Sequence, residues 1–381
     1  WSIRVNNAES RLSEMRSELD DTTERINQQE NKWNQLATKM TEIGNKFSSV
    51  GKQMQDAGKK MTMSITAPIL AVGAAASKLG MDFEASMSNV QGLSGATADE
   101  MVQLEKAARE AGASTSKTAK DAADALGYMA LAGWDAKTSM EALMPVLRLS
   151  EAGNLDLART SDLVTDSMSS LGLSVKELPT YLDQVAKTAA SSNTNIDALM
   201  EAMIVSGGTF KNLNVPLSEA NALLGILANR GLKGSEAGNS LNSIMINLTG
   251  VAMKKLGLSA FDSNGKFKGM ANVLMELKEK TKDMTEEQRT MYLSMIGGKT
   301  QISTLQALLS GVGEEYSELE KKVGNSTGAL DKMAKTMQNN NKGSITALIS
   351  AVQELGLKIY DVLKPSIAQA VSWFQNLTNK L

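Results

Sequence analysis

The chain has 381 residues, with 40 basic against 42 acidic side chains, no histidine and no cysteine. Ser-His-Asp and Cys-His catalysis, thiolate metal sites and a disulfide framework are therefore absent from this stretch. The balanced charge also removes the basic surplus that marks a nucleic-acid binder.

The length suits two or three ordinary domains. Aromatic residues make up 4%, while methionine reaches 23 residues. Methionine fills irregular gaps between helices, so a helical core rich in Met and Ala is expected. The first residue is Trp1, not Met, and the stretch is expected to be a piece of a longer chain. No signal peptide is readable at this start.

Residues 1–62 read as one long coiled-coil helix. Stepping by three and four from Val5 gives a positions Val5, Leu12, Leu19, Ile26, Trp33, Met40, Phe47, Met54 and Met61. The d positions are Ala8, Met15, Thr22, Gln29, Leu36, Ile43, Val50 and Ala57. All nine a residues and six of the eight d residues are apolar, over far more than the three or four heptads a coiled coil requires. At about 1.5 Å per residue the segment spans roughly 85 Å. A rod of that length must pair with copies of itself or line an extended partner. Thr22 and Gln29 break the d seam, as polar layers that fix register do. Trp33 and Phe47 fit poorly in a tight dimer, which favours three or more strands. The competing reading is a lone amphipathic helix lying on another surface.

Gly44, Gly51 and Gly58 fall at e, beside the seam. Glycine costs about 1 kcal/mol relative to alanine inside a helix, but it also lets a neighbouring backbone come close. Replacing all three by alanine is expected to raise the melting temperature of a 1–62 peptide. An unchanged melting temperature leaves close packing, or drift at exposed positions, as the explanation.

Residues 63–80 form an apolar connector. "ITAPILAVGAAASKLG" (65–80) is interrupted by Pro68, Gly73 and Lys78 and falls short of the roughly 20 apolar residues of a membrane span.

Residues 81–310 read as a compact run of short helices. "TADEMVQLEKAAREAG" opens on the capping box Thr97/Glu100 and closes at Gly112. Met101, Leu104, Ala108 and Ala111 make its apolar face. A second helix starts at Thr118 with Asp121 and ends at Gly133. Others are expected near 138–152, 156–171, 178–191, 196–206, 217–230, 235–249, 269–283, 286–296 and 300–310. Gly153, Gly172, Gly207, Gly231, Gly250 and Gly297 punctuate them. Pro145 should kink or restart its helix. One β-hairpin is expected, with a two-residue turn at Asn264-Gly265 between Phe261 and Phe267. "DALGYMALAG" (124–133) echoes "DALMEAMIVSGG" (197–208), and each is followed later by "SEAG", at 150–153 and 235–238. A duplication is one reading of that echo.

Residues 311–381 read as C-terminal amphipathic helices. Ile345, Leu348, Ile349, Val352 and Leu355 share a stripe, and Pro365 starts or kinks a last helix ending near Trp373 and Phe374. The polar face is not strongly basic, so packing on its own domain or a sister chain is favoured over a membrane surface.

The chain offers no candidate active site, metal site or cofactor. "IGGKT" (296–300) has Leu293 where a phosphate loop requires glycine. "DSNG" (262–265) places its glycine too early for a calcium loop and lacks the terminal Glu. The pairs Glu286-Glu287 and Glu314-Glu315 read as solvated helix faces.

One resemblance is specific. "GMDFEASMSNVQGLSGATADEMVQLEKAAREAGASTSKTAKDAADALGYMALAGWD" (80–135) resembles the core region of phage tail tape measure proteins, a family shared with tailocins and contractile injection systems. "ALMPVLRLSEAGNLDLARTSDLVTDSMSSLGL" (142–173) and "GMANVLMELKEKTKDMTEEQRTMYLSMIGGKT" (269–300) continue it, and the heptads followed by "TAPIL" look like that family's entry into the core. The resemblance implies an all-α structural protein, not an enzyme. It implies a homo-oligomer of several copies lying in the tail tube lumen, around which tube protein polymerises, so that its length sets tail length; the seam's bulky residues favour three or more. It further implies contact with tail assembly chaperones and a baseplate or tail-tip hub. Ejection on infection, with contact to the host membrane that aids genome passage, completes the implied role. A bore of about 40 Å, from a few packed helices each 10–12 Å wide, would barely admit a folded 230-residue domain. That allows 81–310 to sit extended in the tail and to fold only after release.

Two rivals come from other classes. One is a membrane-active helical protein forming a channel through 65–80 and 345–374; the other is a muralytic enzyme that uses carboxylates alone.

Overall fold

A computed structural model describes residues 72–298 and 300–378. All twelve seam positions (Val5, Leu12, Leu19, Ile26, Trp33, Leu36, Met40, Ile43, Phe47, Val50, Met54 and Met61) lie outside the described residues, as do Gly44, Gly51 and Gly58.

The described chain is all-α. Its helices are α1 (Val72–Ser94), α2 (Ala98–Ser114), α3 (Ala119–Leu131), α4 (Ala136–Gly153), α5 (Leu157–Leu171), α6 (Leu178–Ser191), α7 (Ile196–Asn212) and α8 (Leu217–Asn229). Then follow α9 (Gly234–Leu248), α10 (Val251–Lys255), α11 (Met270–Thr281), α12 (Glu286–Gly297), α13 (Ile302–Gly311), α14 (Glu314–Gly324), α15 (Ala329–Gln338) and α16 (Asn341–Thr378).

Short polar side chains start many of these helices, because the first turn leaves backbone N–H groups without helical partners. Thr97 accepts from the Glu100 N–H while Glu100 accepts from the Thr97 N–H at 2.8 Å. Thr118 and Asp121 repeat the device on α3. Asp135, Asp156 and Asn195 cap α4, α5 and α7. Gly172, at φ 67°, ends α5 in the left-handed conformation.

Around the apolar α8, which is buried from Glu219 to Ala228, pack α6, α7, α9, α13 and α14. Helices α5, α7 and α9 stack side by side, α2, α3 and α4 form a second group, and α15 lies across α4 and α6. One continuous core joins them, from Phe83 of α1 to Leu357 of α16. Gly73–Leu381 group as one packed unit. The boundary read at 80/81 falls inside α1, and the one at 310/311 falls one residue before the end of α13.

Several local expectations are corrected. Gly112 does not close α2, which continues to Ser114; it is buried against the start of α3. Gly207 lies within α7, where a Cβ would meet the Ser170 hydroxyl of α5 at 2.5 Å. Of the two outcomes expected at each proline, a kink or a new start, the new start is absent: α4 runs through Pro145 and α16 through Pro365.

The hairpin exists as a single antiparallel bridge between Phe261 and Phe267, whose rings meet edge to face at 6.0 Å. Its loop has three residues, not two. The Asp262 N–H donates to the Lys266 carbonyl at 2.8 Å, and Gly265 takes φ 75° to close it.

The two halves of the echo both fall on helices, α3 and α7, but their SEAG segments are placed differently. Ser150–Gly153 ends α4, whereas Ser235–Gly238 begins α9. In the C-terminal stripe, Ile349 and Val352 are exposed, and the buried contacts of α16 come from Leu357, Ile359 and Tyr360 instead.

Candidate functional site

With the seam outside the described residues, the groups of functional interest are those that close the C-terminal helices onto the core. Most use a charged side chain against a partner distant in sequence.

Arg148 and Glu151 of α4 lie one turn apart, so they share a face. Their side chains pair at 2.8 Å, and Glu151 is buried. Its other oxygen accepts from the Ser116 N–H at 2.6 Å. Arg148 also donates to the Ser114 carbonyl at 3.1 Å and lies 3.4 Å from Asp331 of α15. These groups line a cleft of about 780 Å³, whose far wall is Gly328, Asp331, Lys332 and Lys335. Arg148 and the Ser116 N–H satisfy both oxygens of the buried carboxylate, while Arg148 Nε has no hydrogen-bond partner and meets Asp331 only as a 3.4 Å ion pair; together these groups fasten the end of α2 to α4 and α15. An ion pair broken on one side here leaves the other charge buried, which is costly.

Two carboxylates cap helices across long stretches of chain. Asp183 of α6 accepts from the Gly328 N–H at 2.7 Å and the Leu330 N–H at 2.9 Å, holding the start of α15. Glu219 of α8 accepts from the Ala271 N–H at 2.8 Å. The N-cap residue of α11 is Gly269, which has no side chain to cap with, and Glu219 takes that role. The N-terminal helix dipole favours a negative group at both places.

Burial pushes the Glu219 carboxyl above the usual carboxylate range, and nearby Glu320 pushes it the same way. A raised folded value means that protonation is favoured by folding. The contribution is present in full below the ordinary value of 4.5 and is lost as pH rises through the folded value. Glu219→Gln keeps an acceptor for the Ala271 N–H and removes the charge facing Glu320. Thermal melts should find this variant more stable than the parent at pH 8, with the difference closing below pH 4.5. Equal stability at both pH values would mean that burial does not penalise this charge.

Arg159 of α5 bridges Asp197 and Glu201 of α7. Arg230 grips Glu315 at 2.8 and 3.1 Å and Ser310 at 2.8 Å, joining α8 to α13 and α14. The Glu314-Glu315 pair is therefore no simple solvated face. Its second member is an ion-pair partner, held below the usual carboxylate range by the Arg230 hydrogen bond. Glu286 and Glu287 sit exposed in the first turn of α12, where the helix dipole favours them.

Leu293 is buried inside helix α12, which fills the position a phosphate-loop glycine would take; Lys299 lies outside the described residues. Among the described residues, no three acidic side chains gather as metal ligands, and no helix is long and apolar enough to cross a membrane. That includes the 345–374 half of the membrane-active reading.

Sequence reasoning passed over Asp183, Glu219, Arg148 and Arg230. Glu219 alone left a trace, as the single acid in "LSEANALLGILAN". The others pair across gaps of 85 residues or more, or join several partners at once, and no local spacing encodes that.

Comparison with known proteins fits this scaffold. The family described as "Phage-related minor tail protein" matches residues 105–298. The "Tape measure protein" of Pneumococcus phage Dp-1 is 31% identical over 82% of this chain and 28% of its own length. The "Probable tape measure protein" of Escherichia phage P2 is 26% identical over 74% of this chain and 36% of its own. The chain thus spans about a third of the length of the curated relatives it matches. No solved structure matches it. The family match covers α3 to α12 in full, the part of the body held around α8. The chain belongs to the phage-related minor tail protein family, the family of the phage tail tape measure proteins its sequence resembles.

Proposed function

We propose that this chain is a structural segment of a tail tape measure, which sets tail length by templating tube polymerisation and leaves the tube on infection. It works in the virion, in the tail tube lumen, with the tail tube protein, tail assembly chaperones and the baseplate or tip hub as partners. Copies join along the 1–62 seam, with three or more strands. No step in this role calls for catalysis or a cofactor.

The observation that carries the reading is the 31% identity to a tape measure protein across 82% of the chain. The physical support is the 1–62 heptad pattern, because a helix rises a fixed distance per residue and so can serve as a ruler.

Deletion of residues 19–32 from the parent protein, two heptads in register, tests it. Tails seen by electron microscopy should shorten by about 21 Å, at 1.5 Å per residue. Tails of unchanged length would remove the ruler role.

A further inference from the structure

The first and last described helices lie side by side and run in the same direction. Gly80 of α1 carries the ring of Tyr360 of α16; a Cβ at residue 80 would stand 1.9 Å from the ring Cγ. One turn earlier, Gly356 of α16 faces α1, where a Cβ at 356 would meet Leu79 Cδ1 at 3.0 Å and Ala76 Cα at 3.9 Å. One turn later, Glu84 accepts from the Tyr360 hydroxyl at 2.8 Å and pairs with Lys364 at 3.0 Å. Residue numbers rise together along both helices, so the pair is parallel. Arg109 of α2 adds a side clamp, 3.5 Å from Glu354 and 2.8 Å from Asp361.

This arrangement sets the path of the chain. It enters the body along α1 and leaves along α16, heading the same way. Helix α16 continues to Thr378, beyond Lys364 where it pairs with Glu84, so its C-terminal end lies at the far end of the pair. The upstream backbone joins at Val72, towards the other end of the pair. A pull on the two ends of the chain therefore slides α1 and α16 past each other along a common axis. Contacts loaded in this way share the force. All helices from α2 to α15 lie, in chain order, between the two that are being loaded. The body cannot lengthen until these two part.

We propose that the α1–α16 contact is a mechanical latch, which carries tension along the chain and must part before the body can open into an extended string of helices. A body of this size has a diameter of about 50 Å by compact-domain scaling, whereas its residues strung out as helix would run several hundred ångströms. The latch decides when one form gives way to the other. It is a property of the body itself; only the source of the pull rests on the tail reading.

The test is a single-molecule optical trap holding the full chain, with no phage involved, so tail length and latch can fail independently. The sequence has no cysteine, so Asn339→Cys supplies a unique attachment in the loop before α16. Pulling between the two termini loads α16, and pulling between the N-terminus and residue 339 leaves it out of the loaded path. The first opening is expected at clearly higher force in the end-to-end geometry. Under constant end-to-end load, Gly80→Ala should open roughly tenfold faster, because overpacking at the latch acts on the opening rate. Tyr360→Phe, which removes only the bond to Glu84, should open faster by a smaller factor and serves where Gly80→Ala does not fold. Leu182→Ala, a cavity in α6 far from the pair in the sequence, should lower the melting temperature without speeding the first opening. Equal forces in the two geometries, or Leu182→Ala opening the body as readily as the latch variants, would overturn the proposal.

Discussion

Gly112→Ala is expected to cost the packed body about 3 kcal/mol, near the upper end for an overpacked site. The added methyl would lie 2.4 Å from the Ala119 nitrogen, 2.7 Å from its Cα and 2.8 Å from the Thr118 carbonyl carbon. All three are backbone atoms, so no side chain can rotate away. The clash falls on the first turn of α3, where Thr118 and Asp121 hold each other's backbone N–H groups. Moving that turn would loosen the cap as well. Alanine's better helix propensity, worth about 1 kcal/mol, offsets only part of this. The melting temperature should fall by roughly 6 °C, given 2–4 °C per kcal/mol in large domains. Gly133→Ala is a useful comparison: nothing lies within 4 Å of a Cβ there, but its φ of 82° makes any cost one of backbone strain.

Phe210→Ala is expected to be at least as severe, at about 3–5 kcal/mol. Phe210 is 1% exposed and is among the largest fully buried side chains of the body. It sits near the end of α7, which packs between α5 and α9, so its removal leaves a cavity in the stack that the core depends on. Phe210→Leu should recover much of the loss, since part of the volume is refilled. Chemical denaturation measures both. Near-parent stability of Phe210→Ala would mean that the stack collapses onto the cavity more readily than packed helices usually do.

Much of the helical layout was legible because it is written in local chemistry. Thr97 and Thr118 announce helix starts with oxygens that accept backbone N–H groups, and Gly172 announces an end through its left-handed backbone. Glycine has two uses that sequence alone does not separate. At Gly172 it turns the chain; at Gly112 and Gly207 it lets another helix come close, and there it was misread as a stop. Helix α1 was partly hidden as well. Gly73 and Lys78 interrupt its apolar stretch in the sequence, yet Ala76, Phe83, Met87 and Val90 form a buried stripe along the helix. The clamps were not legible at all. Asp183 meets Gly328 across 145 residues and Arg109 meets Asp361 across 252, and only the folded chain brings them together.

Among the described residues, then, the chain presents a charge-fastened helical body with its first and last helices in line. The proposed ruler role rests on the heptads of residues 1–62, and there the account is most exposed. Two parent variants measure it together, one lacking residues 19–32 and one carrying that stretch twice. Tail lengths from electron micrographs should change by about 21 Å in opposite directions, the rise of two heptads. Tails of one common length in both variants and in the parent would contradict the account.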